Sequence, residues 1–204
     1  MTGQDLFDSD GSAGIRAAVD LVNAVALEHA GGRRVAVGDP LSHLAMVVAG
    51  DPPSLAALGA DDVPAFVELA ARLRAVFDDL HDGDVDRAAG RLNDLLADHP
   101  AQPHLARDEG RWRLHHHPVD AALVPMWTSI CAEGLARAIG DGHADRLGTC
   151  AGVACDRVFL DVSKNASRRF CSTACQNRVK AAAFRRRQVA RPPFEATSTA
   201  TTTA

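Results

Sequence analysis

Four of the five cysteines in this 204-residue chain lie within one short C-terminal stretch. They follow the pattern Cys150-x4-Cys155-x15-Cys171-x3-Cys175. Two close pairs joined by a spacer suit a tetrahedral zinc site, because each pair can aim two thiolates at a common point. Four thiolates leave no open position on the metal, so we expect one structural Zn²⁺ per chain, bound by these four residues. The alternatives at this point are two disulfides or four unrelated buried thiols.

The residues between the two cysteine pairs predict a compact arrangement around the metal. Residues 158–162 have the composition of a short strand, and residues 168–171 are expected to form its returning partner. Residues 163–167 have the composition of the connecting turn. Ser172 or Thr173 can then cap a helix whose first turn holds the last cysteine. A knuckle, a hairpin and a helix in this order predict a treble-clef-like zinc finger with four cysteine ligands.

The redox environment separates zinc from disulfides. The first eight residues lack the basic start and apolar centre of a secretory signal, and no apolar run approaches the length of a membrane span. We therefore expect a cytoplasmic protein without a membrane partner. In that compartment clustered cysteines favour metal over disulfides.

The net charge of −4 hides a strong asymmetry along the chain. Residues 1–145 hold 11 Lys and Arg against 23 Asp and Glu, a balance of −12. Residues 146–204 hold 11 against 3, a balance of +8. A basic C-terminal module on an acidic body is typical of a protein that meets a polyanion such as nucleic acid.

Apolar spacing predicts a mainly helical body before the finger, which gives a mainly α (α+β) fold class. The expected elements are helices over residues 15–29, 41–48, 60–81, 85–99 and 121–139, a short strand at 35–37 and a β-hairpin over 104–115. The expected domains are a body at residues 13–145 and a finger at 146–190, linked through 141–148, with disordered ends at 1–12 and 191–204. Cys131 lies inside the last body helix and is expected to be a core residue rather than a ligand.

Several of these motifs together resemble the CGNR zinc-finger family. That family is named for a Cys-Gly-Asn-Arg string at its last metal ligand, and here the string is Cys175-Gln176-Asn177-Arg178. The similarity extends to Phe159-Leu160-Asp161-Val162-Ser163, Arg168-Arg169-Phe170-Cys171-Ser172 and Arg185-Arg186-Arg187. The body is similar to the ABATE domain that precedes this finger, including Asp20-Leu21-Val22-Asn23. The resemblance covers roughly residues 15–190.

The resemblance implies a bacterial, stress-induced transcription regulator whose finger binds DNA. It leaves open what the body senses, and we expect either a small-molecule ligand or a homodimer contact. One departure from the family is Gln176 in place of glycine. Glycine beside a metal ligand permits positive φ or close backbone approach, whereas glutamine suits a helical position. The change therefore affects any contact that requires glycine and leaves the zinc ligands intact.

A basic helix is expected directly after the last cysteine. Its candidate nucleic-acid contacts are Asn177, Arg178, Lys180, Arg185, Arg186 and Arg187. Arg178 and Arg185 are seven residues apart, as are Lys180 and Arg187, so the cations form two stripes along a helix. Such a helix can contact phosphates or enter the major groove of duplex DNA. The alternatives are that these arginines neutralise the zinc–thiolate cluster, dock on the acidic body, or bind RNA or an acidic protein partner.

The remaining polar clusters do not predict catalysis. His115, His116 and His117 would alternate faces in a strand, so at most the first and third could share a metal. A metal-dependent hydrolase built on them is a further alternative, and an exposed hairpin edge is the simpler interpretation. The chain has no nucleophile motif and no phosphate-binding glycine loop, so we expect a binding protein rather than an enzyme.

Overall fold

A computed structural model describes residues 11–36, 38–100, 102–108 and 110–189 of the chain. The ends that we expected to be disordered lie outside this part, except residues 11 and 12, which begin the first helix. The mainly α fold with small hairpins is confirmed. Its elements are α1 (Gly11–Val25), β1 (His29–Ala30), β2 (Arg33–Arg34), α2 (Pro40–Val48), α3 (Pro52–Ala57), α4 (Val63–His81), α5 (Val85–Asp98), β3 (His104–Asp108), β4 (Arg111–His115), α6 (Leu123–Gly140), β5 (Leu147–Thr149), β6 (Val158–Leu160) and α7 (Thr173–Val189).

The segment after α1 differs from the prediction. The first helix ends at Val25 rather than near His29, and the following strands pair as a tight antiparallel hairpin, with His29 opposite Arg34. Its turn is Gly31-Gly32, where φ is +59° and +86°, values that favour glycine. The strand expected at residues 35–37 is therefore shifted to β2, and residue 37 is outside the described part.

Helix α3 was missed by the sequence analysis. We interpreted Pro52-Pro53 as part of the end of the preceding helix, but the two prolines occupy the first turn of α3. A helix tolerates proline there because the N–H groups of the first turn have no partner within the helix, so the missing N–H of proline removes no helical hydrogen bond. The Asp51 carboxylate accepts a hydrogen bond from the Ser54 N–H at 3.1 Å and caps the helix.

One hydrophobic core joins the body helices to the last two strands. Phe66, Leu73 and Phe77 of α4 are fully buried, and α1, α5 and α6 pack around them. Leu147 of β5 and Leu160 of β6 belong to the same core. Residues 141–148, which we expected to link the body to the finger, end in β5, whose Leu147 is buried and which packs against α4.

The strand pairing within the finger also corrects the prediction. β6 pairs antiparallel with β5 upstream, with Val158 opposite Thr149, and not with residues 168–171. The Arg168 N–H cannot serve a strand ladder because the buried Asp161 carboxylate accepts it at 2.7 Å. The hairpin over 104–115 is confirmed as β3 and β4, with His104 opposite His115. None of the described helices is long and apolar enough to cross a membrane.

Candidate metal centre and its surroundings

The sulfur atoms of the four clustered cysteines converge on one point. All four Sγ atoms lie within 4.8 Å of one another. The distances Cys155–Cys171, Cys171–Cys175 and Cys175–Cys155 are 3.8, 3.6 and 3.7 Å. Zn–S bonds of about 2.3 Å at tetrahedral angles place neighbouring sulfurs about 3.8 Å apart, whereas a disulfide bond is about 2.05 Å long. The Cys150, Cys155, Cys171 and Cys175 thiols are free, and their arrangement fits one structural zinc.

Each cysteine pair is shaped by a local backbone feature. Cys150 follows β5, and its N–H donates to the Arg157 carbonyl at 2.8 Å, which closes the first knuckle. Within that knuckle Ala154 takes a left-handed φ of +51°. In the second pair, Ser172 Oγ accepts the Cys175 N–H at 3.2 Å and caps the first turn of α7. Ser172 rather than Thr173 is thus the capping residue.

Backbone N–H groups point at two of the sulfurs. The Cys171 N–H lies 3.4 Å from Cys150 Sγ, within the finger. The Gly31 N–H lies 3.5 Å from Cys155 Sγ and comes from the β1–β2 turn of the body. Such donors stabilise thiolate charge, as the partners around metal ligands commonly do. The metal centre therefore includes a contact from a segment 124 residues away in the sequence.

The electrostatics around the thiols explain why the site suits a cation. Burial raises the pKa of Cys155, but N–H donors from Gly31 and Arg157 outweigh it, and the pKa falls to about 7. Burial, with the neighbouring thiols of Cys175 and Cys150, raises the pKa of Cys171 to about 12. Four thiolates at these separations repel one another without a central positive charge. A divalent cation of thiolate-preferring type offsets that repulsion.

Asp156 joins the first knuckle to the body by hydrogen bonds. Its carboxylate accepts the N–H groups of Glu28 and His29 at 3.2 and 2.6 Å. Its own N–H donates to the His29 carbonyl at 2.9 Å, and Arg74 of α4 donates to its carbonyl. Sequence analysis missed this residue, since nothing around Asp156 distinguishes it from any other acid in a loop.

Arg168 organises the loop between the two cysteine pairs. Its guanidinium donates to the carbonyls of Phe170, Leu160 and Cys171. The same group lies 4.8 Å above the centre of the Phe159 ring, a cation–π contact. The sequence indicated this arginine only as part of an expected strand and of the family motif. Its structural role is to hold the segment that places Cys171 at the metal centre.

The candidate nucleic-acid residues fall into two groups. Asn177, Lys180 and residues 185–187 are exposed on α7. Arg178 is half-buried instead, and its Nη2 donates to the Val153 carbonyl at 2.8 Å. It packs so closely on Gly32 that a Cβ there would lie 2.3 Å from Arg178 Nη1. Gln176 lies within α7, a helical position in which glutamine is well accommodated.

Three histidines on and just after the β3–β4 hairpin form a separate cluster. The rings of His104, His115 and His117 have centroids 5.3–5.4 Å apart. His116 Nδ1 lies 2.9 Å from Glu133 Oε2. Across residues 11–36, 38–100, 102–108 and 110–189, the four cysteines are the one group of three or more Cys, His, Asp or Glu placed to hold an ion.

Two family models match the chain. The ABATE model, whose description is "Putative stress-induced transcription regulator", matches residues 15–156. The CGNR zinc finger model matches residues 146–188. The two matches share residues 146–156, which contain Cys150 and Cys155 and lie where the finger packs on the body. Comparison with curated proteins gave no match.

Proposed function

The chain belongs to the ABATE family and carries a CGNR zinc finger, and on this basis we propose that it regulates transcription by binding duplex DNA through the finger. One family description names a transcription regulator and the other names a zinc finger, and neither names an enzyme. The expected homodimer, the cytoplasmic location and the domain boundaries remain predictions.

The observation that carries this proposal is the placement of α7. Its first turn holds Cys175, so zinc and the Ser172 cap fix the start of the helix. Residues 184–188, in its last turns, are exposed. A rigid helix with an exposed cationic end can contact phosphates on either side of a groove.

The outward face of α7 has the composition of a surface that can enter a major groove. Asn177, Lys180, Ala181 and Phe184 occupy positions i, i+3, i+4 and i+7 of the helix, so they share one face, and all four are exposed. Asparagine can pair with adenine, and an aromatic side chain can contact a thymine methyl group. Phe184 is 61% exposed, and sequence analysis did not single it out. The flanking arginines would then position this face on the phosphates.

The same exposed Phe184 favours a second candidate, an interaction with an acidic protein. Apolar exposure next to cations is also typical of interface centres. Competition by duplex DNA distinguishes the two candidates. If the site binds an acidic protein and not DNA, duplex DNA will not displace that protein.

The test is a fluorescence anisotropy titration of the zinc-loaded full chain against a labelled genomic duplex library at increasing salt. Four exposed cations, Lys180 and residues 185–187, predict that log K falls with log salt at a slope of about −3.6. Chelation of zinc under reducing conditions should abolish binding. Absence of binding at low salt would contradict DNA binding and leave the protein-interaction candidate.

A further inference from the structure

A groove of about 600 Å³ is lined by α1 of the body and by residues of the finger. We propose that this junction groove, which residues 16–31 and 157–178 line in part, binds a small organic anion. The ligand class is a carboxylate or phosphate monoester with an apolar group attached. This inference goes beyond DNA binding and does not depend on it.

Charge is the first reason for an anionic ligand. Four arginines line the junction groove, Arg16 from α1 and Arg157, Arg168 and Arg178 from the finger. The described residues that line it include no Asp or Glu. Asp20 lies one turn along α1 from Arg16; burial raises the pKa of this carboxyl and Arg16 opposes the rise.

The metal centre reduces this positive charge without cancelling it. Cys171 and Cys175 form part of the groove wall, and zinc with four thiolates carries a formal charge of about −2. Four guanidinium groups therefore leave an excess of about +2 by formal charge. The start of α7 adds to it, because Ser172 and Ala174 line the groove and a helix N-terminus favours anions.

A buried donor at the edge of the groove is the second reason. Arg178 Nη1 packs against Gly32 of the β1–β2 turn and has no hydrogen-bond partner among the described residues, whereas Nη2 of the same group is bonded to Val153. Buried polar atoms in native proteins nearly always have a partner, so an isolated donor calls for one. An anionic oxygen is the acceptor that a guanidinium binds most strongly.

The apolar lining of the groove explains the apolar group. Val19 of α1, Phe159 and Leu160 of β6 and Val162 after β6 also line it. Val162 is 42% exposed, so an apolar ligand would remove it from water. Inorganic phosphate alone could not use this surface.

A ligand in this position would contact two parts of the molecule at once. Arg16 and Val19 belong to α1 of the body, while Ser172 and Arg178 belong to the finger and its helix. Binding would therefore stabilise the docking of the finger on the body.

Isothermal titration of the zinc-loaded full chain with phenyl phosphate tests the proposal, with inorganic phosphate and phenol as comparison probes. We expect one site per chain for phenyl phosphate and binding at least tenfold weaker for either comparison probe. Arg16→Gln, an exposed position, should weaken binding about tenfold through loss of a charged hydrogen bond. Arg72→Gln, on α4 beside Asp98, is the matched control and should bind as the parent does. No phenyl phosphate binding, equal binding of inorganic phosphate, or equal loss in both variants would overturn the proposal.

A second arm separates a free anion from a DNA phosphate, which offers the same oxygen chemistry. If the groove binds a free anion, saturating duplex leaves phenyl phosphate affinity within twofold, and Arg16→Gln leaves any duplex affinity unchanged. Competition between duplex and phenyl phosphate, with weaker duplex binding by Arg16→Gln, would instead assign the groove to the DNA backbone and overturn the small-ligand proposal.

Discussion

The Asn23 side chain pairs with the backbone of Val158 as a neighbouring strand would. Its Nδ2 donates to the Val158 carbonyl and its Oδ1 accepts the Val158 N–H, both at 3.0 Å. β6 is paired with β5 on one side only, so this amide satisfies part of the other edge. A single residue of α1 thereby ties the body to a strand 135 residues away, between the two cysteine pairs.

Asn23→Ala should lower the free energy of unfolding by about 2 kcal/mol or more, because it leaves the N–H and carbonyl of Val158 unpaired in a partly buried place. Asn93→Ala, at an exposed position of α5, is the control and should change stability by less than about 0.5 kcal/mol. Urea unfolding of both variants checks this. Equal stabilities would show that water replaces the amide without cost.

Two glycines predict opposite effects of the same substitution. A Cβ on Gly134 of α6 would lie 2.7 Å from backbone atoms of Gly14 and Ile15 of α1, whereas one on Gly90 of α5 would meet nothing within 4 Å. Gly134→Ala should therefore destabilise the protein by about 1–3 kcal/mol as the helices are forced apart. Gly90→Ala should stabilise it by about 0.5–1 kcal/mol through the gain in helix propensity. Thermal unfolding measures both, and a shift of the same sign in both would contradict the close crossing.

Cys171→Ser should remove zinc and unfold the finger, since the folding of such a site depends on the metal. Chymotrypsin should then cleave at Phe170 and Phe184, while most of the body's circular dichroism signal remains. Cys131→Ala is the control: burial raises the pKa of this thiol to about 12, and it lies in the body core, so one zinc per chain should be retained. Metal content by mass spectrometry decides, and unchanged protease resistance in Cys171→Ser would contradict the metal's structural role.

Asp79 predicts a pH-dependent contribution to stability. Burial alone raises its pKa, but hydrogen bonds from Arg91 and Arg87, at 2.5 and 2.7 Å, outweigh burial and hold the pKa below 3.8. The stabilisation is therefore complete above the unfolded pKa and is lost as pH falls through the folded one. Asp79→Asn should cost about 1.5–3 kcal/mol at neutral pH, and its difference from the parent should shrink only below about pH 4.

The comparison with the parent protein isolates this carboxylate, because acid releases zinc from both proteins. Asp94→Asn, exposed on α5, is the control. Urea unfolding from pH 7 to pH 3 measures the difference. A difference that is already lost at pH 6 would mean that Asp79 is not ionised and paired as described.

Short-range sequence patterns predicted the elements that interactions between neighbouring residues determine. Apolar spacing located α4 and α5, and cysteine spacing located the metal centre. The partner of β6 was mispredicted, since composition cannot tell an upstream strand from a downstream one when Asp161 captures the Arg168 N–H. The contacts of Asn23 and Asp156 were not predictable, because each joins segments more than 120 residues apart. Arg178 matched the family motif, but sequence could not show that it packs on Gly32.

The exposed end of α7 predicts how DNA binding depends on salt. Replacing Arg185, Arg186 and Arg187 together by alanine leaves Lys180 as the exposed cation among the candidate contacts. The salt slope should fall in magnitude from about 3.6 to about 0.9, because each phosphate contact contributes about 0.9. Alanine also preserves the helix, so zinc content and protease resistance should not change. A variant with alanine at positions 107, 111 and 137, three exposed arginines of the body, has the same loss of charge. If the magnitude of the salt slope falls equally in both triple variants, the attraction comes from net charge and not from α7. A smaller salt slope in the finger variant alone would identify α7 as the surface that contacts DNA.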